Sequence, residues 1–141
     1  WGRARIGVAA CDRDGVLAYP VATVPNDDGV MVAIRALITE YGPIEIVMGL
    51  PTDLRGDRAG VAARAMRKNA RRVNAETNLP VRLVDERLTT VTAARRLAST
   101  GLDSRARKPV IDQAAAVAIL EQAIDMEKRD GSAPGEVIDR A

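Results

Sequence analysis

Two hydrophobic periods alternate along this chain. Ile6–Cys11 is a short apolar run closed by the turn signal Asp12-Arg13-Asp14-Gly15, and Val16–Val24 is a second extended run. Pro20 within it favours an edge strand, so the two runs predict a hairpin. Pro25-Asn26-Asp27-Asp28 reads as a helix start, with acids where the macrodipole favours them. Val30, Ile34, Leu37 and Ile38 then follow helical spacing to a stop near Gly42-Pro43. Ile44–Leu50 has the compact apolar character of a buried parallel strand. After a Gly-, Asp- and Arg-containing loop, Pro51–Gly60, a long amphipathic helix is predicted from about Gly60 to Thr77, with Val61, Ala65, Met66 and Val73 among its apolar members. Pro80 breaks it, and Val81–Val84 is a short strand. Thr89 or Thr90 caps a further helix to about Ser99, with Val91, Ala94, Leu97 and Ala98 inward. Gly101–Pro109 reads as a basic loop and Val110–Met126 as a largely apolar helix. The end, Asp130–Ala141, is rich in Gly, Pro and acids and reads as a flexible tail. The order ββαβαβαα predicts a mixed α/β sheet with helices on both faces, in one domain spanning residues 1–129.

Composition narrows the chemistry. The chain has 141 residues, no histidine and one cysteine, Cys11. Imidazole acid–base work, Ser-His-Asp and Cys-His catalysis, histidine metal sites, internal disulfides and thiolate zinc sites are all excluded. Aromatics are confined to Trp1, Tyr19 and Tyr41, so the core is aliphatic and base stacking on aromatic rings is not favoured. The longest fully apolar run, Ala114–Leu120, is far short of a membrane span. No signal-peptide-like region stands at the start, and a cytoplasmic protein that avoids membranes is expected.

The net charge of +2 conceals a strong asymmetry. Residues 55–108 hold fourteen Lys/Arg against five acids, a net of +9, and the rest of the chain is −7. Arg64, Arg67, Lys68, Arg71 and Arg72 fall on one face of the long helix, and Arg105, Arg107 and Lys108 lie in the basic loop. This is either the footprint of a polyanion binder or a solvated basic surface.

Two acids stand apart. Glu86 directly follows the strand Val81–Val84, and in open α/β sheets ligands bind beyond the carboxyl ends of strands. The alternative for Glu86 is a loop acid paired with Arg87. Asp112 opens the last helix among apolar neighbours; it is either a first-turn acid complementing the dipole or a site residue. Carboxylates are the natural ligands of Mg²⁺ and Mn²⁺, and a pair of such ions cleaves phosphodiesters without histidine.

Four segments, in order, carry a family resemblance: Gly2-Arg3-Ala4-Arg5-Ile6-Gly7-Val8-Ala9, Val47-Met48-Gly49-Leu50-Pro51, Leu83-Val84-Asp85-Glu86-Arg87-Leu88-Thr89-Thr90, and Lys108-Pro109-Val110-Ile111-Asp112-Gln113-Ala114-Ala115-Ala116. Together they resemble the YqgF/RuvX family, which is associated with Holliday-junction resolution and with maturing the 5′ end of pre-16S rRNA. The glycine motif alone is weak; the last two segments at this separation are specific. The resemblance implies a ribonuclease H-like fold, a mixed five-stranded sheet with helices on both faces. It also implies a three-carboxylate site for Mg²⁺ or Mn²⁺, in which Glu86 and Asp112 are catalytic and hold the metal. The family's first aspartate would fall immediately before Trp1, outside the sequence, and the first, central strand with it. Truncation is the favoured account, since a sheet without its central strand leaves backbone groups unpaired. A chain starting at Trp1 is therefore expected to be inactive or misfolded.

On this reading the protein is a metal-dependent endonuclease acting on structured nucleic acid, first of all pre-16S rRNA. Arg5, Arg64, Arg67, Lys68, Arg71, Arg87, Arg105, Arg107 and Lys108 would contact the nucleic acid, and a monomer or weak homodimer is expected. The alternatives are a resolvase of four-way DNA junctions, whose two symmetric cuts require a dimer, and a nucleic-acid-binding protein without chemistry. A sugar-kinase or actin-like ATPase needs two such domains, more than 141 residues supply.

Overall fold

The computed structural model describes residues 1–2, 4–12, 15, 17–51, 60–85, 104–131 and 135–139. The first elements are the expected hairpin, β1 (Arg5–Cys11) and β2 (Ala18–Pro25), paired antiparallel. Asp12 shapes the turn: its carboxylate accepts from the Leu17 N–H at 2.9 Å and its carbonyl from the Gly15 N–H at 3.1 Å. Gly15 sits at φ +65°, a left-handed conformation that glycine adopts without steric cost. The register jumps from Val8 opposite Ala22 to Ala9 opposite Pro20, which leaves Val21 as the extra residue of a bulge. Pro20 has no N–H to give, and a bulge on an edge strand tolerates that.

Helix α1 (Val30–Tyr41) ends as its sequence predicts. Gly42 takes the left-handed conformation and its N–H bonds to the Ile38 carbonyl at 2.8 Å. Strand β3 (Ile46–Leu50) then runs parallel to β4 (Val81–Asp85), with α2 (Val61–Thr77) as the crossover. Ile44 is almost fully exposed and lies before β3, so the strand is shorter than its apolar run. Not every apolar member of α2 faces inward. Ala63, Met66, Ala70, Val73 and Asn74 are buried, whereas Val61 is 80% exposed and Ala65 is exposed. The buried set repeats at helical spacing and uses two alanines, which let the helix approach the strands closely.

The core lies between α1, α2 and one side of the strands: Ile6, Val24, Met48, Leu50, Val81 and Leu83 meet Val30, Met31, Met66 and Val73. Alternate positions on the same strands point the other way, as the two-residue period requires. There Val47 packs against Ala115 and Ile119 of α3 (Ser104–Asp130), the long last helix. Helices therefore cover both faces, and the fold class is mixed α/β.

Among the described residues the strands form two sheets, β1-β2 and β3-β4-β5, and β1 and β3 do not pair with each other. Two expectations need correction. The segment that reads as a flexible tail carries a strand, β5 (Glu136–Ile138), antiparallel to β4, with Ile138 packed against the core. Gly135, at φ +85°, makes the entry to β5 possible, since a side chain there would collide with the Leu83 carbonyl. The basic loop Gly101–Pro109 is helical from Ser104 onward, so α3 starts well before Val110. The helix expected over residues 89–99 lies outside the described residues. Among the described residues no helix is long and apolar enough to cross a membrane.

Candidate active site

The site begins with a glycine. Gly7 sits on the α3 side of β1, and a Cβ there would stand 3.0 Å from the Asp112 Cβ and collide with the Asp112 carbonyl. Only a residue without a side chain lets the helix lie this close to the strand. The same contact is tied at two further points. Arg5, two residues before Gly7 and on the same face, donates from Nε to Asp112 Oδ2 at 2.8 Å. Thr23, which pairs with Gly7 across the hairpin, has its Oγ1 3.0 Å from Gln113 Nε2, the donor. The neighbours Asp112 and Gln113 thus clamp α3 to both strands of the hairpin, while Ala115 and Ile119 bury the next turns.

This docking removes one alternative for Asp112. The residue lies about two turns inside α3, and the first turn of that helix holds no acid. The macrodipole acts within the first turn, so its partner here is a guanidinium and not the helix end. The Arg5 and Asp112 side chains are 34% and 27% exposed. Pairs this open are worth roughly 0.2–1 kcal/mol, so the bond orients the carboxylate more than it stabilises the fold. It occupies Oδ2; Oδ1 has no hydrogen-bond donor among the described residues. That leaves one hard oxygen able to hold a divalent cation, which suits Mg²⁺ or Mn²⁺ chemically. Among the described residues no three acids or cysteines gather into a metal-ligand group.

The other expected site residues divide sharply. Glu86 and Arg87 lie outside the described residues. Asp85, the last residue of β4, is 7% exposed and stands opposite Leu50, where both parallel strands end. Sequence alone does not set it apart from Glu86, although a buried acid at the carboxyl ends of two parallel strands is where such folds place ligands. Arg105, Arg107 and Lys108 belong to the α3 backbone, seven, five and four residues before Asp112; their side chains lie outside the described residues. Arg64, Lys68 and Arg71 are exposed on α2 as expected. Arg67 is not part of that open face: its Nη2 lies 3.3 Å from Glu136 of β5, because the unexpected strand brings a carboxylate to it. The basic face of α2 also lies across the strands from Asp112, since α2 packs on the Ile6–Leu83 core and α3 on the opposite side.

Gln113 and Thr23 are not marked out by the sequence. The one signal for them is the adjacency of Gln113 to Asp112; the register that brings Thr23 opposite Gly7 exists only once the hairpin is formed.

A hairpin and a parallel strand pair, with two helices on one side and a long acid-bearing helix on the other, form a mixed α/β fold consistent with the ribonuclease H-like class. The sequence profile of the RuvX family, described as Holliday junction resolvase, matches residues 1–126, and the chain belongs to this family. It is 49% identical over 140 residues to a Streptomyces coelicolor protein, covering 98% of this chain and 84% of the relative. A Streptomyces avermitilis protein is 50% identical over 142 residues, covering 98% and 90%. One from Cutibacterium acnes is 49% identical over 126 residues, covering 89% and 78%. All three bear the name "Putative pre-16S rRNA nuclease".

Proposed function

We propose that this protein is a cytoplasmic, divalent-metal-dependent endonuclease that hydrolyses phosphodiester bonds in structured RNA, processing the 5′ end of pre-16S rRNA. The observation that carries the reading is Asp112, docked on the hairpin with one carboxylate oxygen held by Arg5 and the other without a hydrogen-bond donor among the described residues. Family membership and the names of its relatives support the substrate. Glu86 and Asp112 would hold Mg²⁺ or Mn²⁺, and such an ion, when bound, supplies water activation and stabilises the leaving oxygen. The chain's own part is to fix these oxygens and to hold the polyanion. Asp112 is fixed by the α3 clamp. Arg64, Lys68 and Arg71 offer exposed cations to the phosphate backbone on the far side of the strands. Arg105, Arg107, Lys108 and Arg87, close in sequence to the acids, would contact phosphates as well. A monomer suffices for a single cut.

A second reading, resolution of four-way DNA junctions, is favoured by the family's description and requires two copies acting together. The full-length protein is offered a pre-16S leader RNA and a four-way DNA junction side by side with Mg²⁺ and with Mn²⁺, alongside Glu86→Gln and Asp112→Asn. Cleavage of the RNA alone, abolished in both variants, supports the proposal. Paired symmetric cuts in the junction by a dimer move the assignment to resolvase. Binding without cleavage of either leaves a nucleic-acid-binding protein.

A further inference from the structure

We propose that Arg5 works in two directions at once: its Nε holds Asp112, and its two Nη groups take a non-bridging oxygen of the phosphodiester lying against that carboxylate. The inference rests on the reading of Asp112 as a site carboxylate. A guanidinium carries five N–H donors in one rigid plane. Here the single Nε donor is committed to Oδ2 at 2.8 Å. The four donors on Nη1 and Nη2 have no acceptor among the described residues, and a third of the side chain is open to solvent. Holding Nε fixes the plane, so the remaining fork is already oriented before any ligand arrives.

The electrostatics point the same way. Asp112 alone would repel a phosphodiester. A cation bonded to it offsets that repulsion, and its outward fork matches phosphate geometry. β1 anchors the arrangement, since Arg5 is a paired strand residue opposite Pro25 and the clamp at Gly7 lies two residues on. A lysine would not reproduce this: its ammonium has three donors but no rigid plane that, once held by the carboxylate, aims a fork at the phosphate.

The test uses the full-length protein and a pre-16S leader RNA, with Arg5→Gln, Arg5→Lys and Asp112→Asn. RNA affinity is measured against KCl without divalent metal, and the single-turnover rate at saturating RNA and Mg²⁺. Each neutralised phosphate contributes about 0.7–0.9 to the slope of log affinity on log salt. Arg5→Gln is expected to lose about one such contact and at least ~10-fold in rate, since small misplacements at a reacting centre cost up to about 100-fold. Arg5→Lys is expected to restore the slope but not the rate. Wild-type slope and rate in Arg5→Gln, or full rate in Arg5→Lys, overturn the proposal. Should Arg5→Gln fail to fold, Arg5→Lys decides alone by its rate. Asp112→Asn separates the two readings. If it still cleaves, the carboxylate assignment falls; if it is inactive while Arg5→Gln matches wild type, only the role of Arg5 falls.

Discussion

Replacing Gly7 by alanine tests the docking of α3 at its tightest point. The backbone at Gly7 is ordinary strand, so alanine brings no conformational strain of its own; the whole effect comes from one methyl group. That methyl would stand 3.0 Å from the Asp112 Cβ and nearer still to its carbonyl. Carbon contacts settle at about 3.5–4.0 Å, so the helix must retreat by roughly 1 Å. Overpacking of this kind costs about 1–3 kcal/mol, occasionally more. The retreat also stretches the Arg5–Asp112 bond of 2.8 Å and the Gln113–Thr23 bond of 3.0 Å beyond useful length. A displacement near 1 Å at a reacting centre can lower turnover about 100-fold. Urea unfolding and the single-turnover rate are therefore expected to fall together. Gly42→Ala is the control. Gly42 has φ +57° and nothing within 4 Å of a Cβ, so alanine there should cost about 1 kcal/mol through the backbone and leave the rate alone. Wild-type stability and rate in Gly7→Ala would refute the close-docking argument.

Other expectations follow from single contacts. Leu83→Ala removes a side chain only 1% exposed at the centre of β4 and should cost about 2–5 kcal/mol in urea unfolding. Deleting residues 136–141 uncovers the β4 edge that pairs with β5, and amide exchange should accelerate at the β4 residues paired across it, Val81 to Leu83. Burial, and next the neighbouring Asp12 carboxylate, push the Cys11 thiol above its ordinary value. A raised pKa means less thiolate, so alkylation at pH 8 should be slower than for an unfolded chain; Asp12→Asn should speed it only in part, because burial is the larger cause.

The parts of the fold that follow local periodicity are legible in the amino-acid sequence. The Asp12–Gly15 turn, the Pro20 edge strand, the Gly42 stop and the β3-α2-β4 crossover need only near neighbours to specify them. What escapes is set by distant partners. Val137 and Ile138 are too short an apolar run to announce a strand, and β5 forms because β4 has an edge to offer. Arg67 belongs to the basic spacing of α2, but Glu136, 69 residues away, claims its head. Helical spacing alone cannot show that the basic face of α2 and Asp112 lie on opposite sides of the strands, because that depends on which face each helix covers. Asp112 itself stands out in the sequence for an incomplete reason: its chain neighbours make it look like the opening of a helix, whereas the hairpin supplies its actual partner.

The central claim is that the Asp112 carboxylate, seated on the hairpin, takes part in phosphodiester hydrolysis. Asp112→Asn preserves the shape and removes the charge, and the exposed ion pair it loses is worth only roughly 0.2–1 kcal/mol. The direct measurement is the single-turnover cleavage of pre-16S leader RNA by this variant of the full-length protein, with urea unfolding run in parallel. A near-native unfolding midpoint with cleavage reduced to background is the result the account predicts. A near-native midpoint with cleavage at the wild-type rate would contradict it.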